Sequence, residues 1–279
     1  MTPQLERRSR GRGRGRLYWD LVFRALRLAL RHAHDFYTAV GIFLIAGAVV
    51  AVLGTWVFAV LADQVRAGGT LRIDDAILSW MGTHQHPLLT SVALEITALG
   101  TGLVVLMVVA VAGMFLWLTR HRHSAALLLF ATASEILLNN ALKLGFHRPR
   151  PHVFAWQTHA ASSSFPSGHS MSAVVVYGTV AYLAARLQRH AWSRWITFVA
   201  AALVIAAICA SRIYLGVHFP SDVAAGVVVG LAWAAFCMAT LEAVQVYAQR
   251  NAPQVLRNER PAPDDADTRE PRRSTTRRA

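Results

Sequence analysis

The sequence predicts an all-α fold, a polytopic membrane helical bundle with six transmembrane helices. Three observations carry that prediction. The chain is 54% hydrophobic and only 15% charged, with a mean hydropathy of +0.37, whereas a soluble domain carries about 25% charged residues. Several apolar runs reach the ~20 residues that one bilayer crossing needs. The polar, chemistry-bearing residues gather in three short blocks at the ends of those runs: Lys143 to Pro151, Pro166 to His169, and Ser211 to Asp222.

From the N-terminus, residues 1–16 include an Arg- and Gly-rich run from Arg7 to Arg16, a low-complexity pattern that buries no core. Over 17–35, Arg24, Arg27 and Arg31 share one face of an amphipathic segment. That segment reads either as a helix in the headgroup layer or as an ordinary solvated helix face. Six spans are expected near 38–62, 90–118, 124–142, 169–186, 195–211 and 222–246, the fourth and fifth being short. The first reads as an uncleaved span, because the Arg7-Arg8 pair has no apolar run close behind it. The loop over 63–89 carries Asp63, Asp74, Asp75, His84 and His86, and a short surface helix is expected there. Residues 251–279, rich in Pro, Asp, Glu and Arg, read as a disordered tail. The domain division is therefore a basic cytoplasmic segment over 1–37, a six-span domain over 38–246, and a tail over 247–279.

Charge sets the expected orientation. The net charge is +13, of which residues 1–35 hold +6 and residues 251–279 hold +2. Basic segments beside a span are retained on the cytoplasmic side and attract anionic lipid headgroups. That account is preferred to nucleic-acid binding. With both termini inside, Arg120, Arg122, Arg186, Arg189 and Arg194 fall in inner loops, and all three polar blocks fall on the outer, periplasmic face of the inner membrane. A span count different by one would divide the blocks between the two faces. Cys209 and Cys237 both lie in apolar runs and read as small buried hydrophobes, with no disulfide or metal framework.

The blocks hold the ingredients for cleaving a phosphate ester. His218 and Asp222 are four apart, and Pro220 suits a first helical turn. A carboxylate that accepts from one imidazole nitrogen leaves the other free to attack, which makes His218 a candidate nucleophile forming a phosphohistidine. On its own the pair is also compatible with simple helix capping. Phe165-Pro166-Ser167 is echoed by Phe219-Pro220-Ser221, so two helix starts lie at one end of the bundle. Their exposed N–H groups favour an anion. Gly168 permits close backbone approach, and His169 is placed to protonate a leaving oxygen. Lys143, Arg150 and Arg212 supply three fixed cations for the charge that spreads over a transferring phosphoryl group. Lys143 is the chain's single lysine among 28 basic residues. Snorkelling to headgroups explains one such cation and accounts poorly for the array. Glu135, Asn139 and Lys143, at i, i+4 and i+8, form a polar stripe expected to face the bundle interior, with Glu95 a weaker case. Gly226 and Gly230 read as a helix-packing pair.

These blocks match K-x6-R-P, P-S-G-H and S-R-x5-H-x3-D at Lys143/Arg150/Pro151, Pro166/Ser167/Gly168/His169 and Ser211/Arg212/His218/Asp222. In this the chain resembles the type 2 phosphatidic acid phosphatase superfamily, integral-membrane lipid phosphatases related to vanadium haloperoxidases. The resemblance implies His218 as nucleophile, Asp222 as its orienting partner and His169 as acid. It implies Lys143, Arg150 and Arg212 as phosphate ligands, with hydrogen bonds added by Ser167 and Gly168. It implies no metal and no cofactor. Arg148-Pro149 duplicates Arg150-Pro151, so Arg148 is a second candidate for the Arg150 role, although the spacing favours Arg150. The implied substrate is a lipid phosphate or diphosphate, such as phosphatidic acid, phosphatidylglycerol phosphate or undecaprenyl diphosphate. A lipid phosphotransferase would use the same site. A phospholipid transporter accounts for spans and cations but not for His169, His218 and Asp222. An outer-face zinc enzyme built on His84, His86, His147, His152 and His159 lacks any HExxH or paired cysteines.

Overall fold

The computed structural model describes residues 40–158 and 162–250, and all regular structure among them is helical. The basic segment, including the amphipathic stretch over 17–35, and the tail beyond 250 lie outside the described residues, as does His159. The eight helices are α1 (Val40–Arg66), α2 (Leu71–Thr83), α3 (Pro87–Ala98), α4 (Gly102–Leu118), α5 (Arg122–Phe146), α6 (Gly168–Leu187), α7 (Ala191–Tyr214) and α8 (Pro220–Arg250). Five of them, α1, α5, α6, α7 and α8, are long and apolar enough to cross a membrane, and α3 with α4 makes a sixth span if the bent pair is counted as one. The two spans that look short in sequence are 20 and 24 residues long as α6 and α7. The helix expected in the first loop is α2.

The single span expected over 90–118 is instead a broken one, bent by 49° between α3 and α4. The cause is local. Thr101 is extended (φ −71°, ψ 149°), and its hydroxyl donates to the Ala98 carbonyl at 2.7 Å. A methyl group on Gly100 would sit 2.8 Å from Ile208 Cγ2 and 3.0 Å from His169 Cδ2. The break thus brings bare backbone up to the ring of His169. Glu95 is exposed, contrary to the inward orientation expected of it. The buried face of α3 runs through Ala93 and Thr97, one helical turn apart, and Glu95 lies halfway between them in sequence, off that face.

The main core joins α4, α5, α6 and α8 through Val105, Val109, Leu128, Val175, Leu183 and Cys237. Small residues bring α8 against its neighbours. A Cβ on Gly226 would lie 2.6 Å from the Ser167 carbonyl oxygen, and one on Gly230 would lie 3.0 Å from the Met171 carbonyl oxygen. These two glycines therefore pack α8 onto α6, as their spacing predicts. Both cysteines are buried and free. Exposed apolar side chains, including Leu53, Trp56, Leu106, Trp117, Trp192 and Leu203, lie around the outside of the bundle. That is the distribution a lipid-facing surface needs, because hydrocarbon imposes no cost on them.

Candidate active site

Buried polar residues concentrate where the C-termini of α5 and α7 meet the N-termini of α6 and α8. Ser164, Ser167, Ser170, Ser211, Arg212, His218, Ser221 and Asp222 are all buried there. Backbone hydrogen bonds tie the segments together: Ser167 N–H to Asp222 O at 3.0 Å, Ser164 N–H to Arg148 O at 3.0 Å, and Gln157 N–H to Leu215 O at 3.1 Å. The three blocks therefore share one end of the bundle. Pro149 and Pro151 keep the segment after α5 out of a helix, as expected.

Asp222 lies in the first turn of α8, and His218 in the turn that leads into it. The Asp222 Oδ2 is 3.5 Å from His218 Nδ1, beyond ordinary hydrogen-bond length, so the carboxylate faces Nδ1 without closing a hydrogen bond to it. The same Oδ2 accepts from Phe219 N–H at 2.9 Å and from the Ser164 hydroxyl. Its Oδ1 accepts from Arg148 Nη1 at 2.5 Å. On the other edge of the imidazole, His218 Nε2 is 3.3 Å from Arg150 Nη1. With the ring proton on Nδ1, the Nε2 lone pair faces Arg150, the direction from which a phosphate held by that arginine would be attacked. Burial pushes the His218 imidazole down to about 4; Asp222 opposes the shift, and Arg150 and Arg212 add to it. The ring is thus neutral at neutral pH, the state a nucleophile needs.

The cations converge on the same place. Arg150 Nε donates to the Ser162 carbonyl at 3.0 Å and Nη1 to the Val217 carbonyl at 2.6 Å. Arg212 is buried, with Nη1 donating to Thr97 Oγ1 at 2.8 Å and Nε without a partner among the described residues. Lys143 Nζ donates to Ser162 Oγ at 3.0 Å. Lys143, Arg150, Arg212 and His218 all lie close enough to His169 to act on it electrostatically. The polar stripe of α5 faces inward as its spacing predicts. Glu135 is fully buried and accepts from Ser172 at 3.0 Å, and a Cβ on Gly168 would come within 2.7 Å of Asn139 Nδ2 and 3.4 Å of Lys143 Nζ. Any larger residue at 168 would push the start of α6 away from the lysine.

Arg148 takes no part in this convergence. Its guanidinium turns away from the cations to Asp222, Ser221 and Asp74. Asp74, Ser164, Thr97 and Ser162 are the polar members that sequence reasoning did not single out. Asp74 stood among the loop carboxylates without an assigned partner; the others are short hydroxyl residues with no distinguishing pattern. Of the histidines raised as zinc ligands, His84 bonds the Trp80 carbonyl, His86 accepts from Leu88 N–H at the start of α3, and His152 stacks on Trp156.

An apolar cavity of about 370 Å³ opens between α1, α5 and α8, lined by Gly54, Phe58, Leu138, Leu142, Ala232 and Phe236 among others. Leu138 and Leu142 line it from α5, the helix that also carries Lys143. Phe58, which also lines it, packs together with Phe146 and Phe165, with centroids 4.8 to 5.9 Å apart.

The class of protein is thus a bundle of five or six apolar, membrane-length helices with two histidines, a carboxylate and three cations gathered at one end. Residues 124–245 match the model of the PAP2 superfamily. Phosphatidylglycerophosphatase B of Bacillus subtilis (strain 168) is 36% identical over 180 residues, covering 62% of this chain and 86% of that protein. The chain belongs to the PAP2 superfamily. It is also similar to the lipid A 1-phosphatase of Rhizobium johnstonii, 33% identical over 117 residues, covering 39% of this chain and 43% of the relative. The crystal structure of a transmembrane PAP2 type phosphatidylglycerolphosphate phosphatase from Bacillus subtilis superposes with a TM-score of 0.63 at 29% identity, covering 73% of this chain and 98% of that one. The protein is thus a multi-pass membrane protein of that fold.

Proposed function

We propose that this protein is a membrane lipid phosphatase that hydrolyses the phosphomonoester of a lipid headgroup through a phosphohistidine at His218, with phosphatidylglycerol phosphate the first substrate to test. The observation that carries this is the flanking of one imidazole by Asp222 at Nδ1 and Arg150 at Nε2, beside Lys143, Arg212 and His169. The substrate class follows from the relatives, both named as lipid phosphatases. The apolar cavity between α1, α5 and α8 offers an acyl chain a place within the bundle. The site opens on the periplasmic side of the inner membrane with both termini in the cytoplasm, the arrangement that the basic inner loops favour.

In this reading each step has a named group. Lys143, Arg150, Arg212 and the first N–H groups of α6 hold the phosphate oxygens and stabilise charge on them in flight. His218 Nε2 bonds to phosphorus as the ester P–O bond breaks. The electron pair leaves with the lipid oxygen, which takes a proton from His169. The bound phosphate's own negative charge favours the protonated form of His169 beforehand. Water then attacks phosphorus, passing a proton to His169. The P–N bond breaks, inorganic phosphate departs, and both histidines return to their starting states.

The test is phosphate release by purified protein in detergent with excess chelator. The panel comprises phosphatidylglycerol phosphate, phosphatidic acid and undecaprenyl diphosphate, compared by kcat/KM. Release from at least one lipid, abolished in folded His218→Ala, is expected. Turnover at the ordinary rate in His218→Ala would remove His218 as nucleophile, and loss of activity on chelation would remove the metal-free mechanism.

A further inference from the structure

We propose that Arg148, clamped between Asp74 of α2 and Asp222 of α8, is a positioning residue that governs the charge and orientation of Asp222, and through it the His218 ring. The proposal rests on the roles of His218 and Asp222 in the proposed function. Every polar contact of the Arg148 guanidinium is with this group. Nη1 donates to Asp222 Oδ1 at 2.5 Å and to Ser221 Oγ at 2.8 Å, and Nη2 donates to Asp74 Oδ2 at 3.1 Å. One face of the guanidinium lies 4.2 Å over the ring of Phe219, and the side chain is only 9% exposed. A planar cation held at both nitrogens and stacked on an aromatic face is pre-organised and not free to swing toward a phosphate.

Asp74 is as firmly held. It is 2% exposed, accepts from Ser221 N–H at 2.9 Å and Ser221 Oγ at 2.6 Å, and so satisfies a first-turn N–H of α8 with a carboxylate from another helix. The cluster thus places one cation between two anions. Were Arg148 paired with Asp222 alone, its full charge would fall on Oδ1 and weaken the pull of Asp222 on the imidazole proton. With Asp74 sharing that charge, Asp222 keeps a negative charge for His218 while Oδ1 is still anchored. Without Arg148, two buried carboxylates would face each other, and one would take up a proton. A protonated Asp222 no longer orients His218. The two arginines of Arg148-Pro-Arg-Pro151 therefore act on the same imidazole from opposite edges, Arg150 at Nε2 and Arg148 through Asp222 at Nδ1. The surface helix α2 becomes part of the site although it supplies nothing that touches the phosphate.

The test compares Arg148→Gln with Arg150→Gln in the full chain, using kcat, KM for the lipid and the inhibition constant of inorganic phosphate. Arg148→Gln should lower kcat by about 10- to 100-fold and leave KM and phosphate inhibition within about twofold. Arg150→Gln should raise the phosphate inhibition constant at least tenfold. Adding Asp74→Asn to Arg148→Gln removes the competing anion and should recover several-fold of the lost kcat, a gain that a purely structural ion pair would not give. If Arg148→Gln does not elute as folded protein, Asp74→Asn alone carries the test, with a several-fold loss of kcat at unchanged phosphate inhibition. A kcat within threefold of the parent in the tested variant, a parallel weakening of phosphate inhibition, or no recovery in the double variant overturns the proposal. His218→Ala separates the two levels. If it is inactive while Arg148→Gln behaves as the parent, only the positioning role fails; if it is active, the underlying site assignment fails.

Discussion

Replacing Asp222 by asparagine removes one charge and changes one atom, and the structure dictates the consequences. Oδ1 faces an obligate donor, Arg148 Nη1, at 2.5 Å, and Oδ2 faces another, Phe219 N–H, at 2.9 Å. An amide has one oxygen, so either orientation sets its NH2 against a donor. If the NH2 takes the Oδ2 place, His218 Nδ1 must accept, the ring proton moves to Nε2, and the attacking lone pair is lost. A comparable tautomer error in a serine-protease triad lowers kcat by about 10⁴, or ~5.5 kcal/mol at 1.36 kcal/mol per tenfold. If the NH2 takes the Oδ1 place, the tautomer survives, but the carboxylate charge that stabilises a cationic phosphohistidine is gone. Loss of one such preorganised electrostatic partner costs about 10² to 10³. Asp222→Asn should therefore lower kcat by at least about 10²-fold and by as much as ~10⁴-fold. KM should change little, because Asp222 touches none of Lys143, Arg150 and Arg212. The assay is phosphate release under saturating lipid in mixed micelles, with elution volume and thermal unfolding as folding controls. A folded variant whose kcat stays within tenfold of the parent would exclude this role for Asp222.

Two further outcomes are expected. Burial lowers the His218 imidazole to about 4, and the proposed attack requires its neutral form. Activity limited by this group therefore persists as pH falls through the usual histidine range near 6.5 and is lost only toward 4. Once corrected for the substrate's own second ionisation at about 6, kcat/KM should show its acid limb near the about 4 of His218, while a limb near 6.5 belonging to His218 would contradict the buried, cation-flanked environment. Gly226→Val should lower thermal stability by about 1–3 kcal/mol and reduce turnover, because its Cβ would lie 2.6 Å from Ser167 O at the start of α6. Gly113→Ala, with no atom within 4 Å of its added Cβ, is the control; equal effects at the two positions would show that α6–α8 contact is not what Gly226 protects.

The site was legible to different depths. His169, His218, Asp222, Lys143, Arg150 and Arg212 stand in short blocks at helix ends, and chain connectivity alone brings those ends together. The inward course of Glu135, Asn139 and Lys143 was legible because a helix repeats every 3.6 residues. Arg148 was not separable from Arg150, since both precede proline in an extended segment and spacing cannot say which way a guanidinium turns. Its direction is decided by Asp74, which is 74 residues away in sequence and 147 from the Ser221 it also binds. Pairings of that range leave no periodic trace. The break between α3 and α4 had a signal in Gly100-Thr101-Gly102, but the flanking apolar run continues through it and reads as one span. Glu95 was expected inward as an intramembrane carboxylate, but it lies off the Ala93 and Thr97 face that α3 buries.

In the proposed reaction phosphate passes through a covalent bond to His218. Rapid quenching of the protein with lipid labelled in its phosphate, followed by peptide mapping under alkaline conditions that preserve phosphohistidine, tests it directly. Acid-labile label is expected on the peptide containing His218, formed and lost at rates consistent with turnover and absent from His218→Ala. Label on another residue, or full turnover with no label on any peptide, would contradict it.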